Sequence, residues 1–253
     1  MRVPLALVAF ALSACAAAAP RTYEVTAGDV ACRVVEIDLA TDRLDLHWKD
    51  DAGQPLAGID GLREWGRRRG RTLLFAANAG IYDRQFRPLG LHVEDGATLR
   101  PLNNAPTGVG RGNFALPPNG VFYVDTHGRA GVATSARWRE AGIAARIATQ
   151  SGPMLVVDGE INPVFDDASG SLKYRSGVCA PAPGRVVFAV SEAPLTFHAF
   201  ARLFRDRLAC RDALYLDGTL SRMWTKQDGY SGASAMLVKP YAGMFAVFAP
   251  AGD

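Results

Sequence analysis

The apolar runs of this chain are short, and the clearest of them stop at turn-forming residues. The run 72–77 stops at Asn78, and the run 213–216 delivers Asp217 at its end and then breaks at Gly218. With 26 glycines and 15 prolines among 253 residues, tight turns are available along the whole chain. This pattern predicts many short strands joined by turns.

One helical pattern stands out among the strands. Thr196 is a typical N-cap residue, and apolar residues follow it with the spacing of a single helix face as far as Leu208. Strand-like segments precede this helix at 185–191 and follow it at 213–216. A strand–helix–strand crossover of this kind predicts that the two strands run in the same direction.

Earlier in the chain, the segments 30–39 and 43–48 predict a hairpin, and 61–69 predicts a short helix with Asp60 as its N-cap. An apolar fraction of 49% is enough for one sizeable core, and no linker-like segment interrupts the chain. We therefore expect a single domain over 21–253 in the α+β class, with a mixed, mainly antiparallel β-sheet and a few flanking helices.

The segment 1–20 predicts a secretory signal. Arg2 is followed by an apolar stretch, 5–12, that is too short to span a bilayer as a helix. The sequence Leu-Ser-Ala-Cys ending at Cys15 resembles a bacterial lipobox, in which Cys15 is lipidated; the alternative is cleavage within 16–19, which discards Cys15. Both alternatives predict export to the periplasm or envelope, with the lipid anchor as the only expected membrane contact.

Export makes a disulfide possible, because disulfides persist in oxidising compartments. The cysteines beyond the signal are Cys32, Cys179 and Cys210, which allow one bridge and leave one thiol. We expect the bridge between Cys32 and Cys210, since both lie beside strand-like segments suited to neighbouring positions in a sheet.

The charge of the chain points away from nucleic acid. The formal net charge is +3 and includes Arg2, which leaves with the signal, so the exported chain carries a mild excess of +2. Arg67, Arg68 and Arg69, with Arg71, form the one basic cluster. Its expected place is the solvated last turn of a helix, and the alternative is contact with an anionic surface or glycan.

Several common catalytic motifs are missing from the sequence. It has no Gly-x-Ser-x-Gly, no P-loop, no His-Glu-x-x-His and no Cys-x-x-Cys, and its four histidines are scattered. We therefore expect no metal and no cofactor. Carboxylates, arginines and polar donors remain as the groups that carry any chemistry.

Four motifs appear in a fixed order at 78–83 (Asn-Ala-Gly-Ile-Tyr-Asp), 151–155 (Ser-Gly-Pro-Met-Leu), 174–178 (Tyr-Arg-Ser-Gly-Val) and 216–221 (Leu-Asp-Gly-Thr-Leu-Ser). In order and rough spacing they resemble the phosphodiester glycosidase family, which is related to the enzyme that uncovers mannose 6-phosphate by removing N-acetylglucosamine from a phosphodiester. The resemblance runs over about 32–248, nearly all of the exported chain. It implies an exported bacterial glycosidase that hydrolyses the anomeric bond of a sugar phosphodiester or a related envelope glycan.

The chain also departs from the family pattern. The family often has Asn-Gly-Gly-Phe-Phe where this chain has Asn-Ala-Gly-Ile-Tyr from Asn78, and Asp-Gly-Gly-Gly-Ser where this chain has Asp-Gly-Thr-Leu-Ser from Asp217. A changed loop beside the acid implies a differently shaped pocket, so the sugar stays open.

The resemblance and the chemistry single out Asp217 as nucleophile or general base, with Glu192 as the best second carboxylate. A phosphate ester is a good leaving group, so one carboxylate and a cation that holds the phosphate suffice. Arg175 is the expected bidentate phosphate clamp.

Polar groups of the four motifs are expected to contact a carbohydrate or glycophosphodiester substrate. Amides and hydroxyls near the acid suit developing charge, and the amide and carboxylate of the first motif suit sugar hydroxyls. The expected substrate-binding residues are Asn78, Asp83, Ser151, Gly152, Arg175, Gly218, Thr219 and Ser221. The alternative function is a non-catalytic, glycan-binding envelope lipoprotein.

Overall fold

The structure is a computed structural model that describes residues 19–105, 112–218, 220–234 and 240–250. Its strands, in chain order, are β1 (Arg21–Ala27), β2 (Val30–Asp38), β3 (Leu44–His47), β4 (Leu73–Asn78), β5 (His92–Glu94), β6 (Ala97–Arg100), β7 (Gly120–Asp125), β8 (Ala130–Thr134), β9 (Ala145–Ser151), β10 (Met154–Val157), β11 (Glu160–Ile161), β12 (Ser176–Ala182), β13 (Arg185–Ser191), β14 (Ala213–Asp217), β15 (Arg222–Thr225), β16 (Gly229–Gly232) and β17 (Met244–Phe248).

The helices are α1 (Ile59–Arg67), α2 (Ser135–Ala141) and α3 (Phe197–Arg202), which continues into a π-helical segment, Leu203–Arg207. A short 3-10 turn covers Asn113–Ala115. Within the described ranges, no helix is long and apolar enough to cross a membrane.

The strands form three sheets. The first has the order β1-β2-β13-β12-β14-β10-β11, the second β16-β15-β4-β17-β3, and the third β6-β5-β9-β7-β8. Neighbouring strands pair antiparallel throughout the part of the chain that the structure describes. The predicted α+β class, with mainly antiparallel sheet and few helices, is confirmed.

The inner faces of the three sheets share one core. Phe188 on β13 lies at its centre, with ring centroids 5.1 Å from Phe75 of β4, 6.2 Å from Phe122 of β7 and 5.0 Å from Phe245 of β17. All four side chains are fully buried. Phe188 of the first sheet therefore contacts rings of both other sheets. This packing holds the strand ends of the three sheets at fixed relative positions.

Each sheet carries one helix on its outer face. Phe200 of α3 packs on the first sheet, Leu62 of α1 packs on the second, and Trp138 of α2 lies against Tyr123 of the third. Tertiary packing on a sheet stabilises these helices, which are too short to be stable alone.

The predicted helix entries are partly confirmed. The Thr196 side chain accepts a hydrogen bond from the backbone of Ala199, so the N-cap of α3 is correct. Asp60 is not the N-cap of α1: the helix begins at Ile59, two residues earlier than predicted, after Gly58, which makes no side-chain cap bond. The short helix α2 was not foreseen.

The predicted hairpin between the second and third strands is wrong. β2 pairs with β1 and β13 in the first sheet, whereas β3 pairs with β17 in the second. The turn after Asp38 therefore carries the chain between sheets. The predicted crossover is correct in direction: β13 and β14 run in the same direction. However, β12 lies between them and is antiparallel to both.

The predicted Cys32–Cys210 disulfide is also wrong. The bridge joins Cys179 to Cys210, whose Cα atoms are 6.0 Å apart. Cys179 lies on β12 opposite Ala213 of β14, close to Cys210, whereas Cys32 lies on β2, three strand spacings or about 14 Å from β14. A disulfide does not reach that far. Cys32 is a buried free thiol. Burial, and to a smaller extent the charge of Glu192, raises its pKa to about 12.

Candidate functional site

Four strand ends from the three sheets meet at one point of the molecule. Ser176, at the start of β12, lies opposite Asp217, at the end of β14. The Asn78 amide nitrogen at the end of β4 donates to the Ser176 hydroxyl over 3.1 Å. The Ser151 hydroxyl at the end of β9 donates to the carbonyl of Leu216 over 3.1 Å. Three of the four sequence motifs therefore contribute directly to the surroundings of Asp217.

A tight turn holds the Asp217 carboxyl group. The Gly218 amide donates to Asp217 Oδ1 over 2.6 Å, and the Ser221 hydroxyl donates to the Asp217 carbonyl over 2.7 Å. The Ser221 amide donates to the Gly218 carbonyl over 2.7 Å and closes the turn. Gly218 and Ser221 thus orient the acid, and the donor that we expected Gly218 to offer to substrate is taken by Asp217 itself.

Glycine at position 218 is required by a close approach. A Cβ atom at Gly218 would lie 2.6 Å from the Tyr215 hydroxyl and 3.6 Å from Nδ2 of Asn113. Asn113 Nδ2 in turn donates to the Tyr215 hydroxyl over 3.3 Å. The Asp-Gly pair at the end of β14 is therefore needed for packing as well as for the turn.

The electrostatic surroundings of Asp217 favour its neutral form. Burial raises its pKa from 3.8 to about 6, and the Gly218 amide offsets only part of this effect. Within the described ranges, no arginine, lysine or histidine forms an ion pair with it. The Asp217 charge acts on Tyr82, Tyr215 and Tyr241, whose pKa values are raised first by burial and also by this charge. A half-buried carboxyl group among phenols titrates near neutral pH, as a general acid or base must.

Arg175 lies behind the acid and is only 1% exposed. Its Nε donates to the Leu195 carbonyl and one terminal nitrogen donates to the Ser171 carbonyl, both over 2.9 Å. Its guanidinium lies 3.6 Å from the Phe197 ring centroid. One of the two bidentate edges of the guanidinium is therefore already used, and burial of the side chain leaves the predicted phosphate clamp without an exposed face.

Tyr215 lies two residues before Asp217 on β14, and the Arg175 guanidinium lies 5.7 Å from its ring centroid. Burial raises the pKa of Tyr215, Arg175 opposes this effect and Asp217 adds to it. Burial lowers the pKa of Arg175 below its ordinary value, and Tyr215 partly offsets this effect. The buried arginine thus packs against Tyr215 at the strand that carries the acid.

Asn78 uses its whole amide inside the protein. Nδ2 donates to Ser176 and to the Ala79 carbonyl, and Oδ1 accepts from the backbone of Arg222 on β15 over 3.0 Å. The residue is 1% exposed. We therefore expect Asn78 to hold β4, β12 and β15 together beside the acid rather than to contact a sugar.

Replacement of Asn78 by alanine is expected to lower the free energy of unfolding by about 2–3 kcal/mol, because it leaves the Arg222 amide and the Ser176 hydroxyl without their partners. Urea unfolding checks this value. Asn104→Ala is the control, since Asn104 is exposed and bonds only to Arg139. Equal stability of the two variants would contradict the joining role of Asn78.

Asp83 and Glu192 are committed to other contacts. The Asp83 carboxylate accepts from the Gln85 amide and from both the amide and Nε of Arg87; burial opposes its ionisation, but these bonds outweigh burial and lower its pKa. Oε2 of Glu192 accepts from the Gly232 amide over 3.1 Å. Asp83 stabilises its own turn next to Tyr82, and Glu192 lies on the β16 side of the site.

Gly152 follows Ser151 and packs closely on Asn119. A side chain at position 152 would overlap with Oδ1 of Asn119, a buried oxygen that has no hydrogen-bond partner among the described residues. Thr219, the remaining predicted substrate ligand, and Cys15, the predicted lipidation site, lie outside the described residues. No group of three potential metal ligands occurs in the part of the chain that the structure describes.

Three tyrosines and an asparagine near the acid were not predicted as site residues. Tyr82 and Tyr215 lie inside or beside the four ordered motifs, so their position was a usable signal. Tyr241, whose hydroxyl donates to the Leu220 carbonyl over 2.9 Å, and Asn113 lie outside those motifs. Only the fold brings these two residues to the site.

Three antiparallel sheets have strand ends that converge on one half-buried carboxyl group, which has no ion-pair partner among the described residues. They define an α+β protein with a candidate acid–base centre. The sequence model of the phosphodiester glycosidase family matches residues 71–247, and the chain belongs to this family. Membership in a glycosidase family indicates a carbohydrate-derived substrate.

Individual comparisons agree with this assignment. The chain is 35% identical over 186 residues to the uncharacterised protein YigE of Escherichia coli (strain K12), covering 74% of this chain and 71% of that one. It superposes on the catalytic domain of zebrafish N-acetylglucosamine-1-phosphodiester alpha-N-acetylglucosaminidase, auto-inhibited by its pro-peptide, with a TM-score of 0.58 and 14% identity, over 90% of this chain and 81% of that one.

A third comparison is with a protein of Burkholderia pseudomallei K96243 that is considered to be exported. The TM-score is 0.53 at 13% identity, over 86% of this chain and 74% of that one. Both structural likenesses show a shared fold. The Cys179–Cys210 disulfide is of the kind that persists in an oxidising compartment.

Proposed function

We propose that this protein is an exported glycosidase that hydrolyses the anomeric bond of a sugar phosphodiester or a related envelope glycan. The observation that carries the proposal is the Asp217 carboxyl group, which lies at a strand end in a family motif and has a pKa of about 6 without an ion-pair partner among the described residues. Family membership supplies the class of substrate.

The reaction places modest demands on the protein. A phosphate monoester departs as an anion, so protonation of the leaving oxygen contributes little, and the main need is a base or nucleophile at the anomeric carbon. Ionised Asp217 fills this role. As the carboxylate attacks the anomeric carbon or takes a proton from water, it loses its own charge, and the departing phosphate takes up the negative charge.

We also propose that the exported chain carries a lipid on Cys15. The disulfide between Cys179 and Cys210 supports an oxidising destination, and the lipobox-like sequence supports the anchor. Mass spectrometry of the N-terminal peptide from membranes tests this point. A mature N-terminus beyond residue 15 would contradict it.

The experiment that tests the activity is incubation with a panel of sugar-1-phosphodiesters in ¹⁸O-labelled water. We expect release of reducing sugar with the label in the sugar, because cleavage occurs at the anomeric carbon. Label in the phosphate would show hydrolysis at phosphorus and contradict the proposed reaction. Glycan binding without turnover on any compound would show a binding protein.

The pH dependence gives a further expected result. Asp217 must be ionised to act as base or nucleophile, so kcat/KM should rise about tenfold per pH unit below about pH 6 and level off above it. Initial rates between pH 4 and 8, with circular dichroism at each pH as the control for folding, measure this profile. A rate that falls as pH rises through 6 would instead make Asp217 a general acid.

A further inference from the structure

A groove leads away from the site along the outer face of the second sheet. Arg222, Trp224 and Lys226 alternate on β15 and just after it, so their side chains lie on one face. Helix α1 borders the groove with Arg63 and Arg67. From Arg222 to Lys226 the groove runs about 14 Å.

The near end of the groove adjoins Asp217. Tyr241 and Arg222 line this end together with Asp60, and Asp60 also lines the far end. The Tyr241 hydroxyl donates to the carbonyl of Leu220, three residues after the acid, and the Asp217 charge contributes to the raised pKa of Tyr241 after burial. The near end of the groove therefore lies beside the turn that follows Asp217, with the buried Tyr241 between them.

Positive charge predominates in the groove. Arg63 pairs with Asp60 over 2.8 Å and Arg67 pairs with Glu64 over 2.7 Å, so these charges balance. Arg71 also lines the far end of the groove, and it forms a longer ion pair, over 3.5 Å, with Asp45 of β3.

Two further cations have no acidic partner. Arg222 and Lys226 form no ion pair within the described ranges. Arg222 Nε is buried and without a hydrogen-bond partner there. The groove therefore offers unneutralised positive charge at both of its ends.

Two aromatic rings lie beside these cations. Tyr230 on β16 stands opposite Trp224 in the strand register and is 37% exposed. The Arg222 guanidinium lies 3.8 Å from the Tyr230 ring centroid, and the Arg63 guanidinium lies 5.4 Å from that of Trp224. Flat rings offer faces on which sugars pack, and arginine and lysine bind phosphate.

We propose that this groove binds the neighbouring units of a polymeric substrate, a glycan whose sugars are joined by phosphodiesters. The inference rests on the proposed function and extends it, because it assigns the substrate to anionic polymers and gives the polymer a path away from Asp217. Trp224 and Tyr230 contact sugar faces, while Arg222 and Lys226 contact successive phosphates.

The test compares two double variants with the same loss of charge. Arg222→Ala with Lys226→Ala removes from the groove the two cations that have no acidic partner among the described residues. Arg137→Ala with Arg205→Ala removes two exposed arginines that lie elsewhere and pair with Asp158 and Asp206. Calorimetric titration with inorganic polyphosphate measures binding of the anionic chain, and neutral dextran serves as the uncharged comparison.

We expect the groove variant to bind polyphosphate about 10- to 100-fold more weakly than the native protein, and the control variant to bind within about twofold of it. Turnover of a small sugar-1-phosphodiester should be unchanged in both variants, whereas turnover of a glycosyl phosphate polymer should fall only in the groove variant. Equal binding by all three proteins, or an equal loss in the control variant, would contradict the proposed role of the groove in polymer binding. Retained polyphosphate binding by a native protein that turns over no sugar phosphodiester would leave the groove standing and reject the proposed activity.

Discussion

Replacement of Asp217 by asparagine is expected to lower kcat/KM on a sugar-1-phosphodiester at least about a thousandfold. The amide keeps the shape of the carboxyl group and still accepts a hydrogen bond from Gly218, but it is neither a base nor a nucleophile. The appearance of reducing sugar measures the loss. A variant that keeps native activity would remove Asp217 from the catalytic role.

The same substitution should leave the protein as stable as the native chain at pH 7, or more stable. Burial raises the folded-state pKa of Asp217 from 3.8 to about 6, so the folded protein holds this proton more tightly than the unfolded chain does. The resulting stabilisation is full below about pH 4 and is lost as pH rises through 6. At pH 7 the buried charge costs about 1–3 kcal/mol, and asparagine removes that cost.

Asp83→Asn is the matched control for this stability effect. The bonds from Arg87 and Gln85 outweigh burial and lower the pKa of Asp83, so its ionised form stabilises the fold at neutral pH and this contribution is lost as pH falls. We expect urea unfolding at pH 7 to show the two variants shifted in opposite directions. A destabilised Asp217→Asn protein would show that burial is not the main cause of the raised pKa.

The sequence was informative where structure is local. Alternation and turn residues predicted β2, β3, β4, β13 and β14, and Thr196 marked the start of α3 correctly because its cap bond spans three residues. Asp217 was identifiable for the same reason, since an apolar strand that ends in Asp-Gly is visible in six residues.

Pairing between segments that are distant in sequence was harder to predict. Val30–Asp38 and Leu44–His47 are adjacent in sequence, yet they belong to different sheets because each buries its apolar face against strands that come much later in the chain. Arg175 was expected at the substrate, but the Phe197 ring and two carbonyl oxygens hold it inside. Arginine patterns do not reveal such burial, since stacking partners lie far away in sequence.

The disulfide provides the second large expected effect. Replacing Cys179 and Cys210 together by alanine should lower the free energy of unfolding by about 3–4 kcal/mol, because the bridge closes a loop over a sequence separation of 31 residues and thereby restricts the unfolded chain. The loop contains β13 and α3, so loss of the bridge loosens the segment that precedes β14. Urea unfolding without reductant measures the change.

Cys32→Ala separates this effect from the simple loss of a buried sulfur atom. Cys32 is fully buried in the apolar cluster that contains Phe200 of α3, but it forms no bridge. Its replacement should therefore cost about 1 kcal/mol and leave the disulfide intact. In a chain that begins after Cys15, unfolding without reductant should expose one reactive thiol in the native protein and none in the Cys32→Ala protein. Three reactive thiols in the native protein, or equal stability of the two variants, would show that the Cys179–Cys210 bridge does not support the strand that carries Asp217.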